Sequence, residues 1–292
     1  MNALLYALTV LFWGTSWLAV KFQLGVVAPE VSVLYRFILA AVLALIMCLA
    51  MGRSLRFSPR DHGFIALQGL FLFSTNYLLI YLGTQYLTSG LVAVVFSTVI
   101  VFNILGGAIL FRTPVEPRVL LGAACGIGGL VLVFWPEIAA FDLSSGGTRG
   151  LLLAIGGTAS ASCGMLTSAW NQRRRALPVF QSNAYGMLYG AAIMAAFCLL
   201  GGSRFAFDAS PIYVSALLYL AVFATVVAFW TYLTLVGRIG AGRAAYATAL
   251  FPLVALALST FFEGYVWTLM AAAGVALVLL GNVAILGAPK LG

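Results

Sequence analysis

Charge is scarce in this sequence. Aspartate, glutamate, lysine and arginine make up 8% of its 292 residues, and there is one histidine. A soluble domain carries roughly a quarter charged residues to keep its surface in water, so a water-soluble globule is excluded. Acids are rarer than bases, seven against fifteen. None lies near the middle of an apolar block, which excludes the buried carboxylate that proton-coupled cation pumps generally need. His62 has no metal constellation around it and no Ser-His-Asp arrangement at depth, so neither a metal site nor an enzyme is expected. Cys48, Cys125, Cys163 and Cys198 all lie inside apolar blocks, without CxxC spacing or a nearby histidine. They read as small packing residues. The net charge of +8 is spread over short connections rather than gathered on one face, so nucleic acid is not an expected partner.

What the chain has in abundance is apolar length. Hydrophobic residues make up 63% of it, in blocks of membrane-spanning length. About 20 helical residues cross the hydrocarbon layer, and helices satisfy their own backbone where no water is present. The alternating ten-residue pattern of a β-barrel is missing. The fold class is an all-α integral membrane protein with ten transmembrane helices, over residues 3–21, 31–51, 62–83, 88–111, 117–135, 149–169, 181–200, 211–235, 240–262 and 266–286. The first block has no basic leader and is expected to be a retained span rather than a cleaved signal. Punctuation falls between blocks, as at Ala28-Pro29-Glu30, Trp135-Pro136-Glu137 and Ser144-Ser145-Gly146-Gly147.

Lysine and arginine on alternate connections set the orientation. One side collects Arg53, Arg56, Arg60, Arg112, Arg118, Arg173, Arg174, Arg175, Arg238, Arg243 and Lys290. The other has Lys21, Arg149 and Arg204, with Arg36 a little inside span two, and holds Glu30, Glu137, Asp142, Asp208 and Glu263. Both termini are therefore expected in the cytoplasm, in the inner (plasma) membrane of a bacterial-type cell.

A shift of 152 residues superimposes parts of the chain on itself: Gly90 on Gly242, Ala93 on Ala245, Gly122 on Gly274, Ala124 on Ala276, Gly129 on Gly281 and Val131 on Val283. The predicted spans coincide under the same shift. Residues 1–142 and 149–292 then read as two five-helix repeats within one transmembrane domain. Because five is odd, the copies are inverted, the architecture of carriers whose substrate site lies at the repeat interface.

Further residues carry a family resemblance. They are Phe12-Trp13-Gly14-Thr15-Ser16-Trp17 with Lys21, then Gly237-Arg238-Ile239-Gly240-Ala241-Gly242-Arg243-Ala244-Ala245, Leu250-Phe251-Pro252 and Phe261-Phe262-Glu263-Gly264. With these the whole chain resembles the drug/metabolite transporter superfamily in its ten-span EamA-like branch. Within it, the chain is similar to bacterial amino-acid exporters, the aromatic type among them. The resemblance implies an efflux direction. Ile100 stands where Pro252 maps, and Arg112-Thr113-Pro114 stands near the family's Gly-Glu-Pro turn, so a weaker helix break is expected in span four.

Polar and aromatic residues at depth are the candidates for a pathway. The substrate-binding set is Trp13, Trp17, Asn76, Tyr77, Tyr81, Ser97, Asn103, Ser162, Trp230 and Tyr246, with Pro252 as a hinge. Each has a plainer alternative. Ser and Thr commonly bond their own helix or a neighbour, the asparagines pack as readily as they line a path, and a proline kink can be static. Trp13 and Trp17, one turn apart, share a face that is either a cavity wall or lipid-exposed packing. Asn282 reads as packing, and Trp135, Tyr265 and Trp267 read as interfacial anchors. Arg36 either attracts a substrate carboxylate or reaches the interface or Glu30. Gly122, Gly126, Gly128, Gly129, Gly274 and Gly281 make spans five and ten a scaffold.

The resulting reading is a carrier for small neutral or zwitterionic organic solutes, with a small-molecule substrate and the lipid bilayer as partners, no cofactor, and a monomeric state. A multidrug or cationic-compound exporter, a membrane-embedded enzyme and a channel are the alternatives. Single cysteines placed at Asn2 and Arg173 in a cysteine-free background are expected to react with impermeant maleimide only from the cytoplasmic side. Labelling of the two from opposite faces would overturn the topology.

Overall fold

The computed structural model describes residues 2–23, 25–87, 89–112, 114–141, 145–262 and 267–286. Asp142, Glu263, Tyr265 and Lys290, and the side chains of Trp17, Lys21, Ser259 and Asn282, lie outside the described residues. Among the described residues every regular element is helical. The helices are α1 (Asn2–Lys21), α2 (Pro29–Ala50), α3 (Pro59–Leu70), α4 (Asn76–Thr84), α5 (Ser89–Ser97), α6 (Val99–Phe111), α7 (Pro117–Val133) and α8 (Trp135–Ala139). They continue with α9 (Ser145–Arg175), α10 (Val179–Leu200), α11 (Pro211–Ala221), α12 (Ala228–Ile239), α13 (Ala241–Ala245), α14 (Ala247–Phe262) and α15 (Leu269–Leu286). Wider π-helical turns, Phe71–Thr75 and Val222–Val227, join α3 to α4 and α11 to α12.

Seven helical runs among the described residues are long and apolar enough to cross a membrane, and α7 and part of α15 are shorter apolar helices. Helix starts follow local chemistry. Proline opens α2, α3, α7 and α11, where its missing N–H costs nothing and its φ already suits the helix. Ser58 and Asp61 form a capping box at the start of α3, each satisfying a donor that the first turn leaves free. One boundary differs from the sequence reading. The helix expected over 149–169 extends from Ser145 to Arg175, so Arg173, Arg174 and Arg175 form its last turn, where cations favour the negative end of the helix dipole.

The two halves share their boundaries. A shift of 152 residues carries Pro59 onto Pro211, the start of the first π turn onto Phe223 in the second, and Pro117 onto Leu269. A shift of 150 carries α2 onto α10, and burial over 31–50 is reproduced position for position over 181–200. Counterparts also pack on each other, α2 on α10 and α7 on α15, while α9 lies against α4 and α6 much as α1 lies against α12 and α14. The α7–α15 contact is reciprocal. A Cβ on Gly129 would stand 2.5 Å from the Gly274 carbonyl oxygen, and one on Gly274 would stand 2.5 Å from that of Gly129. Gly281 approaches the Gly122 carbonyl at 2.8 Å by the same measure.

The weaker break expected in span four is a single residue and involves no proline. α5 and α6 meet at Thr98, and the hydroxyls of Ser97 and Thr98 donate to the carbonyls of Val94 and Val95 at 2.6 Å each. Such short-range bonds compete with the helix ladder. In span nine the break lies at Tyr246, with the Thr248 hydroxyl donating to the Ala245 carbonyl at 2.5 Å. Pro252 sits inside α14, so the Thr248 carbonyl lacks its usual N–H partner there.

Two ion pairs tie the halves together. Arg175 at the end of α9 meets Asp61 at 2.6 Å, and Arg243 in α13 grips both oxygens of Glu116 at 2.5 and 2.6 Å. The Ser58 hydroxyl and then Arg175 hold the Asp61 carboxyl below its ordinary range. Because the folded value is depressed, the stability it contributes is present above about pH 4, the unfolded range, and disappears as pH falls through the lowered value. The thermal midpoint gap between wild type and Asp61→Asn in detergent is expected to be flat from neutral pH to about pH 5 and to close below that. Gly129→Val or Gly274→Val is expected to cost about 1–3 kcal/mol by overpacking. Gly63→Ala, with open space around its Cβ, should be neutral or stabilising by up to about 1 kcal/mol. The same midpoints measure both, and equal effects at Gly129 and Gly63 would contradict the close approach.

Candidate functional site

Trp13 lies at the middle of α1, and its indole N–H donates to the Ala224 carbonyl in the second π turn at 3.2 Å. Its ring lies 5.2 Å from Phe229, 4.8 Å from Tyr232 and 6.4 Å from Phe251 between centroids. From Phe229 the contacts continue to Phe73 at 4.9 Å, Phe37 at 5.7 Å and Tyr77 at 4.9 Å. Edge-on and tilted geometries of this kind each add about 0.5–1.5 kcal/mol beyond area burial. The chain of rings draws on α1, α2, the first π turn, α4, α12 and α14, so both halves of the sequence build it. Tyr77 and Tyr81 are half-buried and pack against the same core.

Arg36 stands against this chain of rings. It is 4% exposed. Its Nε donates to the Thr225 hydroxyl at 2.7 Å, and Nη2 reaches the Ala224 carbonyl at 3.4 Å. The guanidinium carbon lies 5.3 Å from the centre of the Tyr77 ring. Among the described residues no carboxylate pairs with it. Glu30, the partner considered from sequence, accepts a bond from Ser203 at 2.9 Å instead. The π turn makes the arrangement possible, because a widened turn redirects backbone groups. Thr225 donates five residues back to the Leu220 carbonyl at 2.7 Å, which leaves its oxygen lone pairs for Arg36.

Of the residues singled out from sequence, Trp13, Tyr77 and Tyr81 converge on this region. Asn103 and Ser162 come together between α6 and α9: the Ser162 hydroxyl donates to Asn103 Oδ1 at 2.8 Å, and Asn103 Nδ2 reaches Met165 sulfur at 3.2 Å. Tyr232 donates to the same sulfur at 3.2 Å, which joins this pair to the ring chain from behind. Asn76 bonds the Leu72 carbonyl at 3.4 Å, and Ser97 bonds its own helix. Tyr246 is wholly buried, with its hydroxyl on the Val278 carbonyl at 3.2 Å and its ring against Gly126 and Gly281. Trp230 is 42% exposed, with Phe180 as its ring neighbour. It stands apart from the other aromatics. A surface groove of about 470 Å³ lined by Leu79, Arg149, Leu152 and Leu153 opens between α4 and α9 and shares no residue with the cluster. Sequence reasoning missed Phe37, Phe73 and Phe251, since a phenylalanine in an apolar span carries no signal of its own.

Comparison with known proteins agrees with this architecture. The model of the EamA-like transporter family matches twice, over residues 1–135 and 148–287. Protein PagO of Salmonella typhimurium is 25% identical over 263 residues, covering 90% of this chain and 85% of that protein. An uncharacterized transporter of Archaeoglobus fulgidus is 25% identical over 276 residues, covering 94% of this chain and 95% of its own length. A solved protein crystal structure superposes with a TM-score of 0.81 over 97% of this chain and 95% of that chain at 19% identity, a likeness of fold alone. With both halves matched by the same family model, the chain belongs to the EamA-like transporter family.

Proposed function

We propose that the protein is an alternating-access carrier that exports small neutral or zwitterionic organic solutes, amino acids with aromatic side chains among them. The observation that carries the reading is the chain of rings through Trp13, Phe229, Phe73, Phe37 and Tyr77, built from both halves of the sequence. Ten spans in two inverted five-helix repeats, residues 1–142 and 149–292, would place it at the repeat interface. Support for the repeat comes from the recurring boundaries, the paired π turns and the reciprocal glycine contacts of α7 and α15. Export is the direction implied by the resemblance to amino-acid exporters. In this reading Trp13, Tyr77 and Tyr81 face the solute, Asn103 and Ser162 brace the wall behind them, and the break at Tyr246 with Pro252 is the place where span nine bends.

Aromatic rings in a partly polar interior suit a flat apolar body, since stacking rewards one ring against another. Cations have less to gain. No acid of the described residues lies within the ring cluster, and the one charge there is positive.

Counterflow in proteoliposomes tests the reading. Unlabelled L-phenylalanine inside is expected to accelerate entry of labelled L-phenylalanine, and Trp13→Ala is expected to reduce that flux roughly tenfold, through loss of about 1.4 kcal/mol of ring contact. If only permanently cationic dyes moved, or if flux ignored the solute on the far side, the carrier for aromatic zwitterions would be rejected.

A further inference from the structure

We infer that Arg36 is the anchor for a carboxylate group on the transported solute, so that the substrates are organic monoanions or zwitterions with an apolar or aromatic body. The inference rests on the carrier reading above and narrows its substrate class.

Arginine stays protonated in any protein environment, so Arg36 brings a permanent charge into the interior. A buried charge is costly unless an opposite charge meets it. What meets it among the described residues is one hydroxyl, one carbonyl and the rings of Tyr77 and Phe37. These are dipoles and quadrupoles; they orient the guanidinium without neutralising it. The two hydrogen bonds use two of its five N–H donors. A planar fork with donors to spare matches the two oxygens of a carboxylate.

Among the described residues no second cation stands beside Arg36, and one guanidinium balances one negative charge. The nearest basic residues in sequence, Lys21 and Arg53, lie at or beyond helix ends. A phosphate monoester or nucleotide, with two or more charges, would remain undercompensated. The position of the solute's body follows from a shared acceptor. The Ala224 carbonyl takes bonds from both Arg36 and the Trp13 indole, so a carboxylate on Arg36 places the remainder of the molecule against Trp13 and the rings behind it. A resident glutamate or aspartate in the same place would compete with the solute. Ser203 instead holds the acid nearest in sequence, Glu30.

The test uses purified full-length protein in detergent, read by its thermal midpoint, and the same protein in liposomes. Phenylacetate and L-phenylalanine should raise the midpoint, whereas phenethylamine and inorganic phosphate should not. Arg36→Gln is expected to abolish the gain and to leave the ligand-free midpoint equal or higher, because an uncompensated charge has gone. It should also cut L-phenylalanine counterflow about 30-fold or more, the loss typical of removing one partner from a buried charge pair. Arg36→Lys, with the charge but not the fork, should keep part of both responses. If Arg36→Gln proves too unstable to purify, the Arg36→Lys protein and the wild-type ligand series carry the same comparison. A lowered ligand-free midpoint with an undiminished phenylacetate response would make Arg36 structural and overturn the inference. So would equal stabilisation by phenethylamine or phosphate. Counterflow of L-phenylalanine amide as fast as of L-phenylalanine overturns the anchor while leaving the carrier standing. Absence of counterflow for every compound rejects the carrier instead, and the midpoint series still decides whether Arg36 binds carboxylates.

Discussion

Most polar groups within this bundle find their partners inside the protein, because hydrocarbon offers none. That constraint shapes the interior from the backbone outward. Serine and threonine hydroxyls turn back onto carbonyls, as Thr9 does on Leu5, Thr158 on Ala154 and Ser97 on Val94. Three buried amides form a chain in which Asn171 donates to Gln68 and Gln68 donates to Asn183, joining α9, α3 and α10, while Asn171 Oδ1 and Asn183 Nδ2 at its ends are without a hydrogen-bond partner among the described residues. Where the ladder itself widens, in the two π turns, Ser74 and Thr225 reach back to Leu70 and Leu220. Arg36 is the place where the rule is met in hydrogen bonds but not in charge. Its position within the cluster of rings that both halves build gives that imbalance its meaning.

The same constraint explains how the helices approach one another. Without an aqueous phase to drive apolar surfaces together, close packing depends on small residues that let backbones meet. Gly129 and Gly274 do this for α7 and α15. Tyr246 fills the notch between Gly126 and Gly281 and holds the α13–α14 junction against that pair. Large side chains then gather elsewhere, around Trp13. A closely packed glycine-lined pair thus lies on one side, and an aromatic centre built by broken or widened helices on the other.

Much of this was legible in the residues. Block length and the scarcity of charge give the helical membrane class, and seven helical runs among the described residues are long and apolar enough to cross a membrane. The offset of 152 residues read from a handful of identities reappears in helix starts and π turns. Trp13, Tyr77 and Tyr81 were visible as aromatics beside small or polar positions. The side-chain partners were not visible, for a physical reason. Periodicity tells which residues share a helix face, but not which face meets the interior when every face is apolar. Trp230 and Trp13 therefore look alike in sequence, although the first is exposed and the second joins the ring chain. Tyr246 looked like a wall residue, and only the approach of Gly126 and Gly281 makes it a brace. The break in span four was expected to be weak because no proline stands there, but its place at Thr98, beside the Ser97 and Thr98 hydroxyl bonds, was not visible.

Composition and spacing by themselves determined that this chain is a bundle of apolar helices, because hydrophobicity, helix length and charge are properties of local sequence. The tertiary structure alone decided that, among the described residues, Arg36 has no acid beside it and that its guanidinium shares an acceptor with Trp13. Residues almost two hundred positions apart, Arg36 with Ala224 and Thr225, meet only when helices from the two halves pack. No local pattern encodes that distance.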